Sequence, residues 1–135
     1  MATTQRYKFG KNEKLKSRKR IEELFKTGKS FSLFPFRVVY LFTYGEQNLQ
    51  AGFSVSTRNF KKAFDRNRVK RLMRESYRLQ KQPLTNTLSV AKKHLSVFFI
   101  FTGNEVPDYK LVFEKMTAVI KRLQKIAHEN TAAGT

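Results

Sequence analysis

The sequence predicts an α+β fold in which helices pack on a small sheet, with elements in the order α-β-β-(β)-α-β-α. Segments with apolar residues at helical spacing alternate with short segments of period two. A continuous apolar run at 95–102 predicts one fully buried strand. The 135 residues contain no internal repeat and no second core. We therefore expect a mobile basic segment at 1–13, a single domain at 14–129 and a C-terminal tail at 130–135.

The first helix is predicted within 14–26. Ser17 is a suitable N-cap, and Gly28 suits the position just past the helix end. Four apolar residues share one face of this helix: Leu15, Ile21, Leu24 and Phe25.

Two strands are expected next, because the period changes to two from Phe31 onward. Alternation over 36–41 and again over 50–57 flanks the turn-forming residues 44–48. This pattern predicts an antiparallel hairpin. Pro35 is acceptable at the beginning of the first strand, where a missing backbone donor costs little.

A helix over 64–79 organises the chain, because it combines an apolar stripe with a dense cationic face. Asp65 is a candidate cap, but Phe60 and Ala63 fit an earlier start equally well. The apolar stripe consists of Val69, Leu72, Met73, Ser76 and Tyr77. Cations at every fourth position repel one another on an isolated helix, so the pattern favours an anionic partner over a solvated face.

The remaining chain is predicted to form a loop, a strand and a helix. Pro83 and the small polar residues up to 93 predict a mobile loop before the buried strand. Asp108 is a candidate cap for a final amphipathic helix. Its apolar face is Val112, Met116, Val119, Ile120, Leu123 and Ala127.

Charge is the strongest global property of the chain. The 28 Lys and Arg against 10 Asp and Glu give a net charge of +18, which points to nucleic acid or an anionic membrane surface. The sequence contains no helix with bulky apolar residues on a free face, so nucleic acid is favoured. The 13 Phe and 5 Tyr include candidate stacking surfaces for unpaired bases.

Several classes of site and location are disfavoured. Cysteine is absent, which excludes disulfides and thiolate chemistry, and the chain is expected to be cytoplasmic. It carries no apolar run of spanning length and no signal-peptide pattern. His94 and His128 are isolated from each other and from carboxylate clusters. We therefore predict no catalytic residue and no metal site on the protein, and expect any catalyst to belong to a partner.

Two motifs resemble a known family. The run 51–56, AGFSVS, is followed by 65–78, DRNRVKRLMRESYR, at the spacing found in the bacterial ribonuclease P protein subunit. The resemblance extends over about 15–127. It implies a small basic subunit of a ribonucleoprotein endoribonuclease, which joins a catalytic RNA that uses Mg²⁺ and removes the 5′ leader of precursor tRNA. It also implies a left-handed βαβ crossover through the helix that carries Arg66-Asn67-Arg68, opposite to the usual hand.

The resemblance also implies two RNA-binding surfaces. By resemblance, the docking surface for the catalytic RNA comprises Arg66, Asn67, Arg68, Lys70, Arg71 and Arg74, and helical spacing adds Arg78 to it. The cleft for the single-stranded leader lies between the first helix and the sheet, and comprises Ile21, Phe25, Phe36, Val38, Tyr40 and Arg58. Plain core packing is the alternative for the side chains of the cleft, above all for Phe36 and Val38.

Two other functions remain open from the residues alone. Charge and rings suit a ribosomal or general RNA-binding protein equally well. A DNA-binding helix-turn-helix is disfavoured, because no second helix is suitably placed before the basic one. We therefore expect the catalytic RNA and precursor tRNA as partners, with no DNA and no membrane.

Overall fold

The structure is a computed structural model that describes residues 9–44 and 49–133. A short 3₁₀ helix, Lys11–Glu13, precedes the main elements. These are α1 (Arg18–Thr27), β1 (Lys29–Leu33), β2 (Phe36–Tyr44), β3 (Leu49–Val55), α2 (Ala63–Gln80), α3 (Gln82–Ala91), β4 (Lys93–Phe101) and α4 (Tyr109–Ala133). The predicted α+β class is confirmed. Most of the predicted turn, 45–48, lies outside the described residues.

The four strands form one sheet in the order β1-β2-β4-β3. Strand β4 is antiparallel to β2 and parallel to β3, so the link from β3 to β4 is a crossover through α2 and α3. The predicted hairpin between 36–41 and 50–57 is therefore wrong. The hairpin partner of β2 is β1, across a turn that contains Pro35. Strand β4 instead separates β2 from β3, because its two apolar faces suit a central strand with a layer on each side.

The sheet has a different layer on each face. Alternate residues of the strands, such as Val38 and Phe99, face the main core, which α2, α3 and α4 complete. The intervening residues, such as Val39 and Phe98, face α1 with Leu24. The molecule is therefore a three-layer sandwich with a large core on one side of the sheet and a small one on the other.

Helix α1 begins where the capping pattern predicted. The Ser17 side chain accepts a hydrogen bond from the Arg20 amide, and the Gly28 amide donates to the Leu24 carbonyl. Residues 14–15 are not helical. They lie along β3, with the Leu15 amide donating to the Ala51 carbonyl at 2.9 Å.

The predicted mobile loop at 83–93 is wrong, because α3 occupies 82–91. Pro83 lies in the first turn of this helix, where a missing amide costs nothing. Leu84 and Leu88, four residues apart, are both buried. Lys92 ends the helix in the left-handed conformation, with φ of 56°.

The described residues extend on both sides of the domain predicted at 14–129. Residues 1–8 and 134–135 lie outside the described residues. Phe9 packs edge-on against Phe53 and Tyr77, so this part of the N-terminal segment contacts the domain. Helix α4 directly follows Asp108, whose carbonyl accepts a hydrogen bond from the Val112 amide. Its backbone runs through Ala133, past the position where we expected the tail to begin.

Candidate nucleic-acid interface

Helix α2 has the two faces that the sequence predicted. Val69, Met73, Ser76 and Tyr77 are buried. On the opposite side, Asn67, Arg68, Arg71 and Arg74 are exposed, while Arg66, Lys70 and Arg78 are half-buried. The helix begins at Ala63, so Asp65 lies in its first turn and does not cap it. We call the surface of α2 that carries the seven residues predicted to dock on RNA the docking face; four of them are exposed and three are half-buried.

Arg66 has a structural role that sequence reasoning missed. Its Nη1 donates hydrogen bonds to the carbonyl oxygens of Phe60 at 2.7 Å and Lys61 at 2.8 Å. Charged donors on backbone carbonyls are among the stronger hydrogen bonds in proteins. Arg66 therefore holds the segment leading into α2 against the first turn of the helix. The motif spacing alone gives no signal for this contact, because it depends on the path of residues 60–61.

Arg78 forms an ion pair with Glu75, three residues earlier on the same helix. The hydrogen bond from Arg78 lowers the pKa of the Glu75 carboxyl, and the same bond raises the pKa of Arg78. Part of the positive charge at this end of the docking face is thus offset. Its centre, at Arg68, Arg71 and Arg74, has no ion pair within the part of the chain that the structure describes.

A cleft lies between α1 and the sheet. Ile21 and Phe25, which we predicted for this cleft, lie on the side of α1 that packs on the sheet. Ile21 is half-buried in the small core, and Phe25 is 48% exposed. The Phe25 ring meets Phe98 edge-on, with 5.3 Å between centroids. An exposed ring held by another ring is available for stacking on a base.

The other three strand residues predicted for this cleft are on the wrong face. Phe36, Val38 and Tyr40 are buried in the main core, under α2, α3 and α4. Side chains alternate between the two faces of a strand. Because α1 covers the face of Val39, these three residues cannot reach the cleft. The structure therefore supports the alternative interpretation, in which these side chains pack in the core.

Sequence reasoning missed the sheet residues that do border the cleft. Leu41, Phe98 and Ile100 are partly buried and pack with α1. A cavity of about 350 Å³ lies between α1 and the sheet, lined by Arg20, Glu23, Leu41, Thr43, Tyr44, His94 and Ser96. His94 is half-buried, with Nε2 3.0 Å from the Ser96 hydroxyl. Alternation along β2 signalled two candidate faces but did not identify the one that α1 covers.

Arg58 is exposed in the loop that joins β3 to α2. The neighbouring Asn59 side chain donates to the carbonyl oxygens of Thr102 and Gly103, both at 3.1 Å. These bonds fix the loop to the end of β4. Arg58 therefore lies at the end of the sheet where α2 begins.

Across residues 9–44 and 49–133, no three His, Asp or Glu side chains converge in a way that suits a metal ion. None of the helices in this described part is long and apolar enough to cross a membrane.

Sequence comparisons agree with one another. The family model described as Ribonuclease P matches residues 9–124. A ribonuclease P protein component of Porphyromonas gingivalis is 33% identical over 125 residues, which cover 91% of each chain. One from Chlorobium phaeobacteroides is 29% identical and covers 84% of this chain and 86% of its own.

Solved structures are similar in fold. The ribonuclease P protein of Thermotoga maritima aligns with a TM-score of 0.64 and 29% identity, over 82% of this chain and 96% of that protein. The Staphylococcus aureus protein aligns with a TM-score of 0.58 over 83% and 95% of the two chains, at 19% identity, and supports the fold alone. The chain belongs to the ribonuclease P protein family, as its motifs predicted.

Proposed function

We propose that this chain is the protein subunit of ribonuclease P, which docks on the catalytic RNA through α2 and holds the 5′ leader of precursor tRNA in the cleft beside α1. The observation that carries the proposal is the exposed cationic centre of the docking face. Guanidinium groups bind phosphate bidentately, and Asn67 suits a base edge or a ribose hydroxyl. The exposed Phe25 ring suits an unpaired base of the leader.

The protein acts by positioning and by charge. The RNA carries out hydrolysis with its Mg²⁺ ions, and the protein supplies no catalytic residue. Cations between two RNA segments reduce phosphate repulsion, so the RNA needs less Mg²⁺ when the protein is bound. Holding the leader adds affinity for the precursor only. For these roles we expect a cytoplasmic protein whose partners are RNA, not DNA or a membrane.

The test is cleavage of a 5′-labelled precursor tRNA by a bacterial ribonuclease P RNA at low Mg²⁺, with and without the protein. We expect a single cut at the mature 5′ end that depends on the protein. The doubly substituted variant Arg68→Ala, Arg71→Ala should lose the effect. Lys121→Ala with Lys125→Ala is the matched control, since it removes the same charge from an exposed part of α4.

A general RNA-binding protein is the alternative that the test separates. Such a protein, bound to the catalytic RNA, would not change its preference between precursor and mature tRNA. It would also not increase cleavage of the precursor. Tight binding to the RNA without any gain in cleavage would therefore overturn the proposal.

A further inference from the structure

A pocket of about 350 Å³ lies at the outer edge of β3, apart from the cleft beside α1. Three parts of the chain form it: residues 9–16, strand β3 and helix α2. The side chains that define its chemistry are Phe9, Lys14, Lys16, Phe53 and Arg74. Pockets of roughly 300 Å³ or more accommodate small ligands.

Backbone and ring contacts hold the walls of this pocket. Lys14 pairs with Ala51 in a parallel bridge, which extends the sheet beyond β3. The Gln50 side chain donates to the Asn12 carbonyl at 3.2 Å. The Phe53 ring stacks on Phe99 at 5.3 Å, and Phe9 meets Phe53 edge-on at 5.8 Å. The apolar wall is therefore part of the folded domain.

The pocket is lined by cations and by no acid. Lys14, Lys16 and Arg74 come from two separate parts of the chain, and none has an ion pair within the described ranges. The nearby Glu13 carboxylate is engaged by Lys81, which is almost fully buried. Lys14 lies over the Phe9 ring, with Nζ 5.9 Å from its centroid. Three cations beside two rings form a site for an anion that carries a flat apolar group.

A nucleotide has this chemistry. Its base packs against aromatic side chains, and its phosphate binds Lys and Arg. The pocket volume of about 350 Å³ suits one nucleotide. Arg74 belongs both to this pocket and to the docking face of α2. An RNA bound to that face would therefore lie next to the opening of the pocket.

We propose that the pocket at the β3 edge binds one unpaired nucleotide of the catalytic RNA. This inference rests on the proposed function, since it assumes that α2 docks on that RNA. It adds a binding site beyond the docking face and the leader cleft. Residues 9–16 thereby become part of the RNA-binding surface.

Crosslinking in the assembled complex tests the site directly. The chain has no cysteine, so Lys16→Cys provides a unique thiol for a short photoreactive group. Lys121→Cys, exposed on α4 beside β2, is the matched control. We expect position 16 to crosslink to one or two unpaired nucleotides of the catalytic RNA that position 121 does not reach. Crosslinks to the leader alone, or none at all in a complex that cleaves, would overturn the inference.

A second experiment measures the contribution of the cations. Lys14→Gln with Lys16→Gln should lower affinity for the catalytic RNA by about tenfold, because it removes two cations from the proposed phosphate site. It should also make the crosslinked nucleotide accessible to chemical modification in the complex. Lys121→Gln with Lys125→Gln removes the same charge and should do neither. If both pairs behave alike while the wild type still promotes cleavage, the pocket assignment fails and the proposed function stands.

Discussion

The ring of Phe98 covers Gly52, its pairing partner on the neighbouring strand. A Cβ atom on Gly52 would lie inside the contact distance of this ring, and it would also approach the Leu15 carbonyl oxygen at 3.6 Å. Phe98 in turn supports the exposed ring of Phe25. The glycine of the AGFSVS motif is thus explained by packing, because only glycine leaves room for the floor of the cleft.

Gly52→Ala should therefore displace Phe98. Overpacking of this kind costs about 1–3 kcal/mol of unfolding free energy. It should also reduce the preference of the complex for precursor over mature tRNA, because Phe25 loses its support. Urea denaturation and competitive binding measure the two effects. Ser54→Ala, which removes only a hydroxyl two residues along the same strand, is the control, and equal behaviour of the two variants would contradict the packing argument.

Arg66 and Arg68 should give different phenotypes despite their shared motif. Arg66→Ala removes two charged hydrogen bonds to backbone carbonyls and should lower the unfolding free energy by about 1.5–3 kcal/mol. Arg68→Ala, at an exposed position, should change it by less than about 0.5 kcal/mol. It should instead weaken RNA binding and reduce the salt slope by about one unit. Denaturation curves and salt titrations distinguish the two, and a loss of stability in Arg68→Ala would contradict the assignment.

Phe25 and Phe36 offer a similar contrast between cleft and core. Phe25→Ala should reduce the preference for precursor tRNA about tenfold through lost base stacking, with little change in stability because the ring is half exposed. Phe36→Ala should lower the unfolding free energy by about 3–5 kcal/mol, since Phe36 is 1% exposed. Phe34→Ala, at an exposed ring outside both cores, is the control for Phe25. If the Phe36→Ala protein were stable but no longer preferred precursor over mature tRNA, Phe36 would belong to the leader cleft and not to the core.

Tyr77 carries a buried hydroxyl without a hydrogen-bond partner among the described residues. Tyr77→Phe should therefore be neutral or stabilise the protein by about 1 kcal/mol at pH 7. Burial, with a smaller effect from Glu13, raises the pKa of Tyr77 well above 10.0. The unfolded chain ionises first, so wild-type stability should fall above about pH 10.

The Phe variant lacks this loss, so its advantage should grow with pH. Denaturation at pH 7 and near pH 10.5 measures the difference. Tyr44→Phe, at an exposed ring, should match the wild type at pH 7. An advantage for Tyr77→Phe that stays constant with pH would show that the ring is less buried than described.

Sequence patterns predicted the helices better than the sheet. Val69, Met73 and Tyr77 follow helical spacing, so the sequence predicted the buried face of α2 and, by exclusion, its exposed cationic side. The sequence did not predict the strand pairing. The two strands are neighbours along the chain, which favoured a hairpin, whereas β4 pairs with both β2 and β3. The error over Phe36, Val38 and Tyr40 has the same origin. Period two identifies two faces of a strand, but only the position of α1 decides which face borders the cleft.

The missed helix α3 had a weaker signal. Leu84 and Leu88 at spacing four, after a proline suited to the first turn, are typical of a short helix. The polar residues between them favoured a loop by composition. Packing of the two leucines in the main core settles the conformation.

The position of β4 between β2 and β3 has a consequence for biosynthesis. The ribosome releases β3 and α2 before residues 93–101, so β3 at first lacks the strand against which it pairs. Contacts between distant parts of a chain form late, because closing the intervening loop costs entropy. The arginine-rich helix therefore emerges early but gains its final support only when the C-terminal third follows. During that interval its charge is presented to the surrounding RNA by a partly folded chain.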